Sequence, residues 1–191
     1  MKNNILNCVD NYNETLDTNV CVLFLKYITL IHDLIECAAT NIYMQNDNYL
    51  KHVMIKSLKS HGERLPKSIL KLMKESDLII GLTEFSMAHS KERITSEQFG
   101  TRYLSLPDYS EELLKHSALR VNFKKLGKNS MILSKILSKG KIVKIKTNMG
   151  TDLTIDITGR KGNFAPGYVN KKIKLGSPPD IESNIAPIEN K

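Results

Sequence analysis

The sequence predicts an α/β fold: an open, mainly parallel sheet with flanking helices, followed by the opening helix and β-hairpin of a second, α+β domain. Three observations carry this reading. Short continuous apolar runs, Val20-Cys21-Val22-Leu23-Phe24-Leu25 and Leu78-Ile79-Ile80-Gly81-Leu82, have the length and composition of strands buried on both faces. Apolar residues at helical spacing lie between them, as at Ile28, Ile31, Leu34, Ile35 and Ala38. After Pro107-Asp108 the alternation gives way to a long amphipathic segment and two strands joined by Asn148-Met149-Gly150. The division is therefore expected at residues 1–107 for the α/β domain and 108–191 for the partial second domain.

Each element follows from its local pattern. The run at Val20 reads as a strand and the spacing from Ile28 as a helix to about Thr40, although periodicity also admits one continuous helix. Tyr49 to Ile55 is a weaker strand candidate. Pro66 opens a helix whose apolar side is Ile69, Leu70, Leu72 and Met73, since a first turn has no use for the missing N–H. The strand from Leu78 reaches Thr83. Ser90 or Thr95 caps a helix running towards Phe99, and Gly100 ends it. Thr101 to Leu106 is the next strand, closed by Pro107. Ser110 followed by Glu111 and Glu112 marks a helix start, with carboxylates at the positive end of the helix dipole. Ile132, Leu133, Ile136 and Leu137 line the apolar side of a helix ending at Gly140, with Lys128, Lys135 and Lys139 towards water. Lys141 to Thr147 and Asp152 to Ile157 form the hairpin, the latter in strict alternation.

Composition sets the outer limits. With 191 residues, 41% hydrophobic and 25% charged, the chain is ordinary for a globular protein and long enough to bury a core. No stretch approaches the roughly 20 apolar residues of a bilayer span. Lys26 breaks the longest run, so a cytoplasmic location is expected and no membrane contact. Cys8, Cys21 and Cys37 are odd in number and lack Cys-x-x-Cys spacing, which argues against a disulfide framework or zinc knuckle. Charge is uneven. Residues 120–174 hold 14 Lys/Arg against Asp152 and Asp156, a net +12, while the remainder is −4. A basic segment of this kind admits an anionic partner. Its lysines are dispersed, however, and only Phe123, Phe164 and Tyr168 could stack on bases, which reads as a solvated face and argues against nucleic acid.

Polar residues cluster in two loops. Thr83-Glu84-Phe85-Ser86-Met87-Ala88-His89-Ser90 leaves the carboxyl end of a parallel strand, where ligands bind open α/β sheets, and Glu84, Ser86 and His89 could supply contacts there. A hydrogen-bonded turn is the commoner role for such residues. His61-Gly62-Glu63 reads as a second polar loop. No glycine-rich phosphate loop exists. Ser105, Asp108 and His116 make a triad on paper only, because nothing marks a nucleophile elbow.

The run Pro179-Asp180-Ile181-Glu182-Ser183-Asn184-Ile185-Ala186-Pro187 resembles the segment of the thermophilic, M29-type (aminopeptidase T-like) metallo-aminopeptidases that supplies the first carboxylate of a two-metal site. Asp77 to Lys91, Gly150-Thr151-Asp152-Leu153 and Gly159-Arg160-Lys161-Gly162 are similar to that family's strand and Ser/His loop, its hairpin, and the loop after it, in the right order. The resemblance covers about residues 60–189. It implies a leucyl-aminopeptidase-like hydrolase that removes amino-terminal residues from a peptide substrate. It implies divalent metal ions (cobalt, zinc or manganese), Glu182 as metal ligand, and a homodimer. The family's second Glu, two His, Tyr and Asp ligands lie in later sequence, so this chain is expected to be a truncated or inactive form, with residues from about Lys174 onward poorly packed. Two alternatives stand beside it. One is a relative resembling the 2,5-dihydroxypyridine dioxygenases, which hold a single ferrous iron with later His and Asp residues. The other is a non-catalytic binding module for an anionic partner.

Overall fold

Leu78 to Leu82 are buried along their whole length, which places them in the interior of a sheet covered on both faces. The computed structural model describes residues 22–26, 50–55 and 58–189. The helix expected from Ile28 to Thr40 and the three cysteines lie outside these residues. The sheet has five parallel strands in the order β2-β1-β3-β4-β8. These are β1 (Val22–Lys26), β2 (Leu50–Met54), β3 (Leu78–Leu82), β4 (Arg102–Ser105) and β8 (Leu175–Gly176). The expected open α/β sheet is what the chain forms.

Alternation along β3 and β4 divides the interior in two. Leu78, Ile80, Leu82, Leu104 and Leu106 face one core, closed by Leu114, Leu119, Phe123, Tyr168 and Val169. Ile79 and Tyr103 face the other, with Leu58, Leu65, Ile69, Met73 and Met87. Helix α1 (Lys67–Lys74), preceded by Pro66 as expected, brings Ile69 and Met73 to that second core. Gly81 is required there: a Cβ at this position would lie 2.0 Å from the Tyr103 hydroxyl, so the strand must carry no side chain where the phenol crosses it. Helix α2 (Lys91–Glu97) is capped by Ser90, whose hydroxyl accepts from the Arg93 N–H (3.2 Å).

Beyond Pro107 come α3 (Glu111–Lys115), capped by Ser110, a 3₁₀ turn at Ser117–Arg120, and α4 (Phe123–Lys139), capped by Asn122. The antiparallel ribbon β5 (Ile142–Lys146) and β6 (Asp152–Asp156) follows as expected. A second antiparallel pair, β7 (Asn163–Ala165) and β9 (Glu182–Asn184), lies against α4.

Two expectations are corrected here. Ile132, Leu133 and Ile136 do not form the inward side of α4; all three are exposed, Ile136 at 61%. The helix turns inward Phe123, Gly127, Ser130 and Ser134 instead. The reason is close approach: a Cβ on Gly127 would come within 2.8 Å of Pro166 and 2.9 Å of Tyr168, so no side chain fits at that point of the interface. Nor is the segment from Lys174 loosely packed. Leu175 and Gly176 pair with Tyr103 and Leu104, the Tyr109 hydroxyl donates to the Pro178 carbonyl, and the Ile188 N–H donates to Asp156 O (2.8 Å). The segment after residue 107 thus returns a strand to the sheet and five residues to its core. A boundary at 107/108 remains a proposal about how the chain is organised. Among the described residues no helix is long and apolar enough to cross a membrane.

Candidate functional site

Parallel strands all deliver their following loops to one edge, and here those loops surround a cavity of about 680 Å³. From the turn after β3 come Ser86, Ala88 and His89; Pro107 follows β4, and Ser177 follows β8. Phe164 and Ala165 of β7 line it beside Glu182 of β9, which pairs with Ala165, and Asp180, His61 and Gly62 complete the lining.

The β3 turn is held by its own polar groups. The Thr83 hydroxyl donates to Phe85 O (2.7 Å), Ser86 Oγ accepts from the Ala88 N–H (3.2 Å), and Ser90 N–H donates to Met87 O (2.9 Å). Met87 is fully buried beneath the turn and anchors it to the core. Ser86 Oγ also lies 3.3 Å from Ser105 Oγ, tying the turn to the end of β4. From the His61 loop, Nδ1 accepts the Ser86 N–H (3.0 Å), and the ring stands edge-on to Phe85 at 5.2 Å.

In the segment after β8, Asp180 N–H donates to Ser177 O (2.9 Å), and Ser177 Oγ donates to Ser105 O (3.4 Å). Glu182 is exposed and its Oε1 accepts from Asn184 Nδ2 (3.0 Å). Partial burial of the Asp180 carboxyl, and next to it the Glu182 carboxylate, hold Asp180 above the usual aspartate range. Among the described residues no three His, Cys, Asp or Glu side chains come together as a metal-ligand set.

Of the residues singled out in the sequence, Glu182, Ser86, His89 and His61 meet at this cavity. Glu84 is exposed and does not line it. Ser105 serves the β3 turn, while His116 caps the 3₁₀ turn by accepting the Ala118 N–H at Nδ1 (3.1 Å). Sequence reasoning missed Asp180, Ser177 and the Phe164-Ala165 wall. Asp180 was visible in the proline-framed run, two residues from the glutamate that drew attention. Phe164-Ala165 carried no signal, because β7 acquires its meaning only by pairing with β9 across the intervening loop.

The chain matches the family model described as NicX, 2,5-dihydroxypyridine 5,6-dioxygenase, over residues 24–179. It is also similar to the solved structure of the 2,5-dihydroxypyridine dioxygenase of Pseudomonas putida KT2440, with a TM-score of 0.60 at 15% sequence identity. That likeness covers 84% of this chain and 48% of the solved one, so the chain spans about half the length of this relative. No curated sequence matches it. These findings overturn the expected kinship with M29-type aminopeptidases, and with it the assignment as a hydrolase, metallopeptidase or protease. The relative's named substrate is a dihydroxypyridine, a small molecule, which removes the ground for a peptide substrate. The error has a physical source: the aminopeptidase resemblance rested on turns and hairpins that position a site, and one carboxylate does not distinguish two-metal hydrolysis from oxygenation.

Proposed function

The chain belongs to the 2,5-dihydroxypyridine 5,6-dioxygenase family, and from that premise we propose that its cavity is the ring-binding pocket of a ring-cleaving dioxygenase. The substrate class is a small dihydroxylated aromatic heterocycle. The observation that carries this is the cavity at the carboxyl edge of the sheet, built largely within the family-matched residues. Its volume lies in the range of about 300–1,000 Å³ usual for small-molecule sites. Phe164, Ala88, Ala165, Pro107 and Leu175 offer apolar walls for a ring, and His61, Ser86, His89, Asp180 and Glu182 offer donors and acceptors for its hydroxyls. Partial burial and the neighbouring Glu182 carboxylate hold the Asp180 carboxyl above its usual range, and its oxygens are acceptors for a ring hydroxyl.

The sequence resemblance to the dioxygenase branch implies a divalent metal, a single ferrous iron. The described residues do not furnish its ligand set by themselves. We therefore assign to this chain the ring-binding part of the site and not a complete metal centre; Glu182, a ligand only by the overturned aminopeptidase resemblance, is left to direct test.

Anaerobic calorimetric titration with 2,5-dihydroxypyridine, followed by amide NMR, tests the reading. Saturable binding is expected, with resonance shifts at Ser86, His89, Phe164 and Asp180. Absence of binding, or shifts confined to another face, would overturn it. Titration with ferrous iron, beside cobalt, zinc and manganese, tests Glu182 separately. Any uptake should weaken in Glu182→Gln, and unchanged uptake removes Glu182 as a ligand.

A further inference from the structure

We infer that His61 is a positioning and recognition residue of this site: its Nδ1 fixes the β3 turn, and its Nε2–H is offered to a ligand oxygen. The first half stands on geometry alone; the second rests on the reading of the cavity as a ring-diol pocket.

Two consecutive residues grip Ser86 from both sides of its peptide frame. His61 Nδ1 accepts the Ser86 N–H (3.0 Å), and the Gly62 N–H donates to Ser86 O (2.8 Å). These bonds join loops 25 residues apart in sequence, in a part of the chain where the turn has no strand partner of its own. The edge-on contact with Phe85 fixes the imidazole plane about the same bond. Gly62 takes a φ of +71°, which lets its N–H reach Ser86 at no steric cost. Ser86 in turn orients the Ala88 N–H and contacts Ser105, so the grip reaches the stretch that carries His89 into the cavity.

The same bond decides the tautomer. A ring nitrogen that accepts a backbone N–H carries no proton, so the neutral imidazole holds its proton on Nε2. His61 is exposed and is one of the residues lining the cavity, and no bond to Nε2 is made among the described residues. A hydroxyl or oxyanion of a bound diol is the acceptor that this donor suits, while Asp180 and Glu182, which line the same cavity, are acceptors for the diol's own O–H groups.

Two variants separate the two roles. In His61→Asn the side-chain carbonyl takes the place of Nδ1 as acceptor, and the Nε2–H is lost. In His61→Leu both are lost. Hydrogen exchange at the Ser86 amide reads the grip without any ligand. Protection comparable to the native protein is expected in His61→Asn, with a loss of about tenfold or more in His61→Leu, the size of one net hydrogen bond. Binding of 2,5-dihydroxypyridine should weaken by about tenfold in His61→Asn and further in His61→Leu. Unchanged Ser86 exchange in His61→Leu would overturn the positioning role. Native-like binding in His61→Asn would overturn the donor role. If the unmodified chain does not bind 2,5-dihydroxypyridine at all, the recognition role falls with the reading of the cavity, and the exchange result still decides the grip. The exchange of amides in β3 and β4 serves as the control that each variant is folded.

Discussion

The parallel sheet and the segment from α4 through the β5–β6 ribbon both carry runs of large aliphatic residues, yet they use them in opposite ways. In β3 and β4 every residue is buried, because each strand has neighbours on both edges and a packed layer on both faces. In the ribbon, Val143 pairs with Ile155 and Ile145 with Leu153 on one face, but Ile145 and Leu153 stay exposed at 41% and 46%. The stripe Ile132, Leu133, Ile136 on α4 is likewise open. Apolar character therefore marks a capacity for burial, and the neighbours present decide whether it is realised. Two-stranded ribbons are at best marginally stable alone, so β5–β6 draws little from its own apolar face.

Paired truncations give the strongest test of this contrast. Leu78→Ala, at a fully buried position between two layers, should lower stability by about 2–5 kcal/mol in denaturant unfolding, through lost transfer energy and the cavity left behind. Ile136→Ala and Leu153→Ala should change it by less than about 0.5 kcal/mol. A large loss at Ile136 would show that the helix stripe is covered in solution.

The crossing of Tyr103 over Gly81 predicts a coupled effect within the sheet. Gly81→Ala should destabilise by about 1–3 kcal/mol through overpacking, and a double-mutant cycle with Tyr103→Phe should recover part of it, because the hydroxyl is the nearest atom met. Tyr103→Phe alone should be neutral or slightly stabilising. Its hydroxyl is buried with no partner among the described residues, so no bond is lost. Burial raises the Tyr103 phenol well above its ordinary value, against a smaller opposing effect of Arg93. Since the folded value lies above the unfolded one, its contribution is complete below about pH 10 and is lost as pH rises beyond it. The native protein should lose stability there faster than Tyr103→Phe, as read by urea unfolding at a series of pH values.

The smallest effect is local to the cavity. Glu182→Gln removes a like charge beside Asp180, so the Asp180 carboxyl should titrate at lower pH in that variant, by carboxyl-carbon NMR. In the native protein the Asp180 contribution to stability is present below the ordinary aspartate range and is lost as pH rises through its raised folded value. An unchanged Asp180 titration would mean that desolvation alone sets it.

Much of the fold was legible because its signals are local. Ser90 and Ser110 cap the helices they precede by bonds three residues long, and Asn148-Met149-Gly150 closes the ribbon between residues already alternating. The candidate site was legible only in pieces. Ser86, His89, His61 and Glu182 could each be noticed as polar residues in loops, but nothing in their spacing announced that they share one cavity. The chemistry was misassigned for the same reason, since loop motifs report how a site is built more readily than which reaction it serves.

What the sequence by itself determined, then, are the features encoded within a few residues: strand and helix periods, caps, turns and the continuous burial of β3. Only the tertiary structure decided the rest. It decided that α4 packs through Gly127, Ser130 and Ser134 and leaves its isoleucines outside. It decided that Leu175-Gly176 joins the sheet 70 residues after β4 ends at Ser105, and that Asp180 and His61 line one cavity. The physical reason is range. Caps and periods are settled by bonds between near neighbours, whereas close approach, strand addition and a shared cavity depend on which distant surfaces meet.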